Sequence, residues 1–157
     1  MRKRIVIFAV LVLMLVGLST APALANPPPP KECYGTGTPG YWKNHPEAWP
    51  VEVITLGGIT YTKEEAIEFM GMPEKGDKTY TMFRALVAAK LNVLNGCACP
   101  PTNIMNEYIE AADAWMAEHE VGSGVKGRDA EWQKPGEYLY RKLDQYNNGE
   151  WCWYPRD

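Results

Sequence analysis

Serine is nearly missing from this sequence. Past residue 25 it occurs once, as Ser123, and histidine occurs only as His45 and His119. Gly122-Ser123-Gly124 lacks the G-x-S-x-G spacing that lifts a nucleophile onto a strand-to-helix turn, which excludes a serine hydrolase of that type. Two histidines with scattered acids fall short of a metalloenzyme's ligand set, so neither a metal nor another cofactor is expected. Long apolar runs are missing too: the one present, Ile5 to Leu18, has 14 residues, against the roughly 20 that a spanning helix needs. No repeat of solenoid period occurs. Basic excess is also absent. Setting aside residues 1–25 lowers the cations from 16 to 13 against 19 acids, a net charge of −6, which disfavours nucleic acid and anionic lipid.

What is present begins with a leader. Residues 1–25 open on Arg2-Lys3-Arg4, pass through the apolar run and end on Ala23-Leu24-Ala25, the three-part pattern of a secretory signal peptide. A membrane anchor is the alternative, and the short apolar run argues against it. The expected product is secreted or held at the cell surface, with no membrane span after processing. Residues 26–39 read as a Pro/Gly-rich lead-in: "PPPP" favours an extended polyproline spacer. "GTGTPG" matches G-x-G-x-x-G by letter, but no strand precedes it, so it reads as flexible. Residues 40–157 then form a single globular domain.

Export changes the meaning of Cys33, Cys97, Cys99 and Cys152. In an oxidising compartment an even cysteine count in a small domain points to disulfides. A Cys97–Cys99 bond across one residue is a strained ring, so the other two pairings are favoured, each stapling Cys33 and Cys152 to the central Cys97-Ala98-Cys99. Each bond would contribute about 2–5 kcal/mol. Zinc held by Cys97, Cys99 and His119 is the sharper alternative, but C-x-C lacks the second close ligand pair of a structural zinc site.

Periodicity gives a mainly α domain with one β-hairpin, a small disulfide-stapled fold of about four short helices. Two β-branched runs flank Gly57-Gly58 between Val51 and Thr62, a hairpin pattern. Thr62 and Glu65 form a capping box that starts a helix over 63–70. A second helix runs over 78–95, with Phe83, Leu86, Val87, Leu91 and Leu94 inward. A third starts after Pro100-Pro101 with Thr102 as cap and runs to about Glu118, burying Ile104, Met105, Tyr108, Ala112, Trp115 and Met116. The last covers 136–147 with Leu139, Leu143 and Tyr146 inward. "DQYNNGE" at Asp144 to Glu150 fails the ligand alternation of an EF-hand.

The stretch "GYWKNHPEAWP" at Gly40 to Pro50 supports two readings. Tyr41, Trp42 and Trp49 form a core lid, each ring removing about 150–250 Å² from water. Alternatively Tyr41, Trp42, Asn44, His45, Glu47 and Trp49 form an exposed ligand platform, with rings for sugar faces and polar groups for direction. The partners expected of such a protein are a cell-envelope glycan or a surface protein. A third possibility, an envelope hydrolase with His45 and Glu47 as base and orienter, lacks a nucleophile.

The combination of "GYWKNHPEAWP", "VITLGGITYTKEEAIEF", "ALVAAKLNVLNG" and "LDQYNNG" resembles a module recurring in secreted and cell-surface bacterial proteins. Its pattern runs from a Cys through G-Y-W-K-x-H-P-x-x-W-P, a T-L-G-G hairpin, A-A-K-L-N-x-x-N-G and D-x-x-N-N-G to a closing Cys. The resemblance covers Cys33 to Cys152 and implies export and compact modularity rather than a reaction. Cys97-Ala98-Cys99 and the Trp-rich ending depart from it and leave the disulfide pairing open. The expected role is a non-enzymatic extracytoplasmic module, structural or adhesive, with carbohydrate binding as the alternative.

Overall fold

One helix, apolar on nearly every side, organises the chain. The computed structural model describes residues 35–96 and 102–151. Its elements are α1 (Pro39–Asn44), a 3-10 turn (Pro46–Ala48), β1 (Val53–Leu56), β2 (Ile59–Thr62), α2 (Lys63–Gly71), α3 (Lys78–Leu94), α4 (Thr102–Glu118), a kinked turn (Trp132–Gly136) and α5 (Glu137–Asn147). The described residues belong to one compact unit, Lys31–Asp157. The leader, the proline run and Cys33, Cys97, Cys99 and Cys152 lie outside the described residues, and the disulfide and zinc readings with them. Among the described residues no helix is long and apolar enough to cross a membrane.

Among the described residues the structure shows the mainly helical class with one antiparallel hairpin, with five α-helices against the expected four or so. The additional one is α1. Its start is locally encoded: the Thr38 side chain accepts from the Tyr41 N–H, and Pro39 stands where its missing N–H costs nothing.

α3 packs against α5, α4, α2 and α1. Phe83, Leu86, Val87 and Leu91 are buried as expected, and Met82, Ala85, Ala88 and Ala89 are buried with them. The alanines let neighbouring helices approach on the faces that the larger residues leave open. Leu94, expected inward, is exposed, because α3 emerges from the core at its last residue. On α4 the buried stripe is Met105, Ile109, Ala112, Trp115 and Met116. That spacing puts Ile104 and Tyr108 on its flank, so Ile104 is exposed and Tyr108 half-buried, contrary to the sequence reading. α5 turns Leu139, Leu143 and Tyr146 inward.

The hairpin pairs Val53 with Thr62 and Leu56 with Ile59. Gly57 and Gly58 hold φ of 57° and 81°, the two positive values that a tight two-residue turn requires. Thr62 ends β2 and caps α2: its Oγ1 accepts from the Glu65 N–H, and its own N–H donates to Glu65 Oε2 at 2.8 Å. The turn also sits hard against α4. A Cβ on Gly57 would lie 2.6 Å from the Met116 carbonyl carbon, while the Gly57 N–H donates to Asp113 Oδ1 at 3.1 Å. Lys90 closes this corner, donating to Asp113 Oδ1 and to the Thr55 carbonyl, both at 2.6 Å. Gly57→Ala is therefore expected to cost about 2 kcal/mol or more, from left-handed backbone strain plus overlap with α4. The midpoint of urea unfolding measures it, and Gly58→Ala, which meets no atom within 4 Å, isolates the strain alone.

Burial raises the phenol pKa of Tyr61 above its ordinary 10.0, with the charges of Glu120 and Glu65 adding to it. Burial also raises Tyr140, helped by Asp144 and Glu74. The fold favours the neutral phenol in both cases. Their contribution is fully present below the unfolded value of about 10 and is lost as pH rises through the raised folded values. Melting temperature is expected to fall above about pH 10, and Tyr140→Phe to flatten that fall.

Candidate functional site

The stretch Gly40 to Pro50 spans α1 and the 3-10 turn, with Pro39 and Pro46 fixing the backbone at the start of each. Trp42 is 1% exposed and Trp49 7%. Each indole has an internal acceptor: Trp49 Nε1 donates to the Trp42 carbonyl at 2.8 Å, and Trp42 Nε1 donates to Asn92 Oδ1 at 3.1 Å. Neither ring offers a face to a ligand. The platform reading is corrected at these two positions, because the core lacks the area of these rings without them and their N–H groups are satisfied inside.

The other four motif residues line the surface. Tyr41 is half-buried, its ring edge-to-face with Trp42 and stacked on His45 at 4.4 Å. His45 is exposed, and its Nδ1 lies 2.9 Å from the Tyr41 carbonyl oxygen. That oxygen can only accept, so Nδ1 carries the proton and donates. This hydrogen bond orients the imidazole toward its own helix. Asn44 and Glu47 are exposed, and no hydrogen bond joins His45 to Glu47. The base-and-orienter pair is not assembled.

Beneath the motif lies a buried polar network. Asn92, 1% exposed, uses all four hydrogen-bonding positions of its amide. Its Oδ1 accepts from the Gly37 N–H and from Trp42 Nε1; its Nδ2 donates to the Gly37 carbonyl at 2.9 Å and to Asn147 Oδ1 at 3.0 Å. Asn147 in turn donates to the Ala85 carbonyl at 2.9 Å. The Thr36 hydroxyl reaches the Tyr146 carbonyl at 2.8 Å. Thr36 is 2% exposed, and a Cβ on Gly37 would lie 2.4 Å from Trp42 Nε1. The Gly-rich segment read as a flexible lead-in is thus fixed in the interior at Thr36 and Gly37. Three residues far apart in the sequence, Trp42, Asn92 and Asn147, meet here. Local sequence reading missed Asn92 and Asn147, whose only signal is an Asn on an otherwise apolar helix face.

Elsewhere, His119 tilts against the Trp115 ring at 4.6 Å, beside a hollow of about 430 Å³ lined by Ala111, Ala114, Trp115, Glu131 and Pro135. A neighbouring hollow brings together His119, Ser123 and Asp129, the residue types of a catalytic triad. No hydrogen bond joins the three, and Asp129 Oδ2 accepts from the Lys126 N–H at 2.7 Å. Among the described residues no three His, Cys, Asp or Glu side chains are grouped to hold a metal ion. Comparison with protein families, curated proteins and solved structures finds no match to this chain.

Proposed function

We propose that this chain is an exported, non-enzymatic module that acts outside the cytoplasm as a structural or adhesive unit at the cell surface. The observation that carries this reading is the use of the aromatic motif as interior structure. Trp42 and Trp49 are the residues that most resembled a binding platform; Trp42 ties α1 to α3 and α5 through Asn92 and Asn147, and Trp49 donates back to the Trp42 carbonyl. A motif so used specifies a fold, and it leaves the exposed faces free to differ in what they hold. The leader at residues 1–25 and the four cysteines support export and two disulfides. Partners of this reading are an envelope glycan or a surface protein.

Co-sedimentation of the mature protein with isolated cell envelopes tests it. Sedimentation is expected for wild type and equally for His45→Ala and Glu47→Ala, which sit on the surface and should change stability by no more than about 0.5 kcal/mol. An envelope-hydrolysing activity that either substitution abolishes in a folded protein would overturn the reading. Intact mass is expected to show the loss of residues 1–25 and of four hydrogens.

A further inference from the structure

One surface carries aromatic rings that the core covers only in part: Tyr108 and Trp151 pack against its edge, and Tyr138 stands exposed beside them. Tyr108 on α4 lies between Tyr138 of α5 and Trp151, ring centres 6.0 and 5.8 Å away, at interplanar angles of 70° and 75°. The two phenol oxygens are 3.2 Å apart. The Lys142 ammonium lies 5.5 Å from the Tyr138 ring centre and 5.8 Å from that of Trp151. Tyr138 is 53% exposed, and Ile104, one turn before Tyr108, extends the strip.

We propose that this strip binds a glycan whose sugars carry sparse carboxylates. The inference rests on the surface-adhesive reading above and names its ligand class. Pyranose rings present apolar C–H faces, which aromatic rings at the surface can cover. Edge-to-face contacts within the set leave no ring stacked flat on another. The phenol pair supplies donors and acceptors for sugar hydroxyls. Lys142 supplies the charge: it pairs with no carboxylate among the described residues, and two rings hold its ammonium over the strip. The only ion pair within α5, Arg141 with Glu137, neutralises itself at 2.6 Å. Residues 26–157, with a net charge of −6, repel a dense polyanion at long range. One local cation therefore suits a polymer with a carboxylate on only some of its sugars.

Affinity electrophoresis of the mature protein in gels containing hyaluronan, its methyl ester or neutral dextran tests this. Retardation is expected in hyaluronan, less in the ester and least in dextran. Tyr138→Ala is expected to weaken hyaluronan binding about tenfold. Lys142→Gln is expected to lose about threefold on hyaluronan and nothing on the ester. Tyr138→Phe, which keeps the ring, holds most of the binding and guards against loss through misfolding. No retardation in hyaluronan, equal retardation in its ester, or an unchanged Tyr138→Ala protein overturns the proposal. Envelope sedimentation that survives Tyr138→Ala removes the strip while leaving the adhesive reading in place, whereas loss of all envelope binding by wild type removes both.

Discussion

Trp42→Ala is expected to destabilise the protein by about 3–5 kcal/mol, a large part of the 5–15 kcal/mol that holds a domain of this size. The ring is the largest fully buried side chain among the described residues. Removing it opens a cavity between α1 and α3 and takes away the edge against which Tyr41 packs. It also uncovers Gly37, whose absent side chain makes room for the indole. Trp42→Phe separates the two contributions: it keeps most of the ring and loses the N–H that Asn92 accepts, so its cost should be clearly smaller. Urea unfolding followed by circular dichroism gives both values. A Trp42→Ala protein within 1 kcal/mol of wild type would mean that the ring is not a core residue.

Asn92→Ala is expected to cost about 4 kcal/mol, although it removes only a small side chain. The loss comes from the groups left behind: the Trp42 and Gly37 N–H donors, the Gly37 carbonyl and Asn147 Oδ1. Each buried group left without a partner costs about 1–3 kcal/mol, and water reaching some of them brings the sum below the maximum. Asn92→Asp gives a sharper signature. Its shape is unchanged, but a carboxylate would face two acceptors, the Gly37 carbonyl and Asn147 Oδ1. Burial raises its pKa in the fold, so the protonated form is the stable one. Stability is then present at acidic pH and lost as pH rises through the raised value, opposite to the usual behaviour of a paired carboxylate. A variant whose stability does not improve on acidification contradicts the network.

The elements readable from sequence were those whose causes lie within a few residues. Thr62 with Glu65 encodes the start of α2, Gly57-Gly58 encodes the hairpin turn, and the apolar spacing at Phe83, Leu86, Val87 and Leu91 encodes α3. α1 was missed although Thr38-Pro39 is a good start, because six residues are too few to show a period. The candidate site was harder. Whether Trp42 faces solvent or core depends on an amide 50 positions away. Thr36 and Gly37 carry no apolar signal in the sequence; what fixes them is hydrogen bonding to residues 55 to 111 positions along the chain. Tyr108 and Ile104 fit a helical stripe, yet the stripe one position over, Met105, Ile109, Ala112, Trp115 and Met116, holds the better apolar set and takes the core.

The central claim, that the aromatic motif is interior structure, can be tested by hydrogen exchange at the tryptophan indoles. In nitrogen-15-labelled protein transferred to heavy water, with resonances assigned through Trp→Phe variants, the Trp42 and Trp49 indole N–H signals should persist and decay only at the rate of global unfolding. Those two donors are bonded inside, to Asn92 and to the Trp42 carbonyl. If instead both signals vanish as fast as that of a free indole, the rings face solvent and the motif is a binding surface after all.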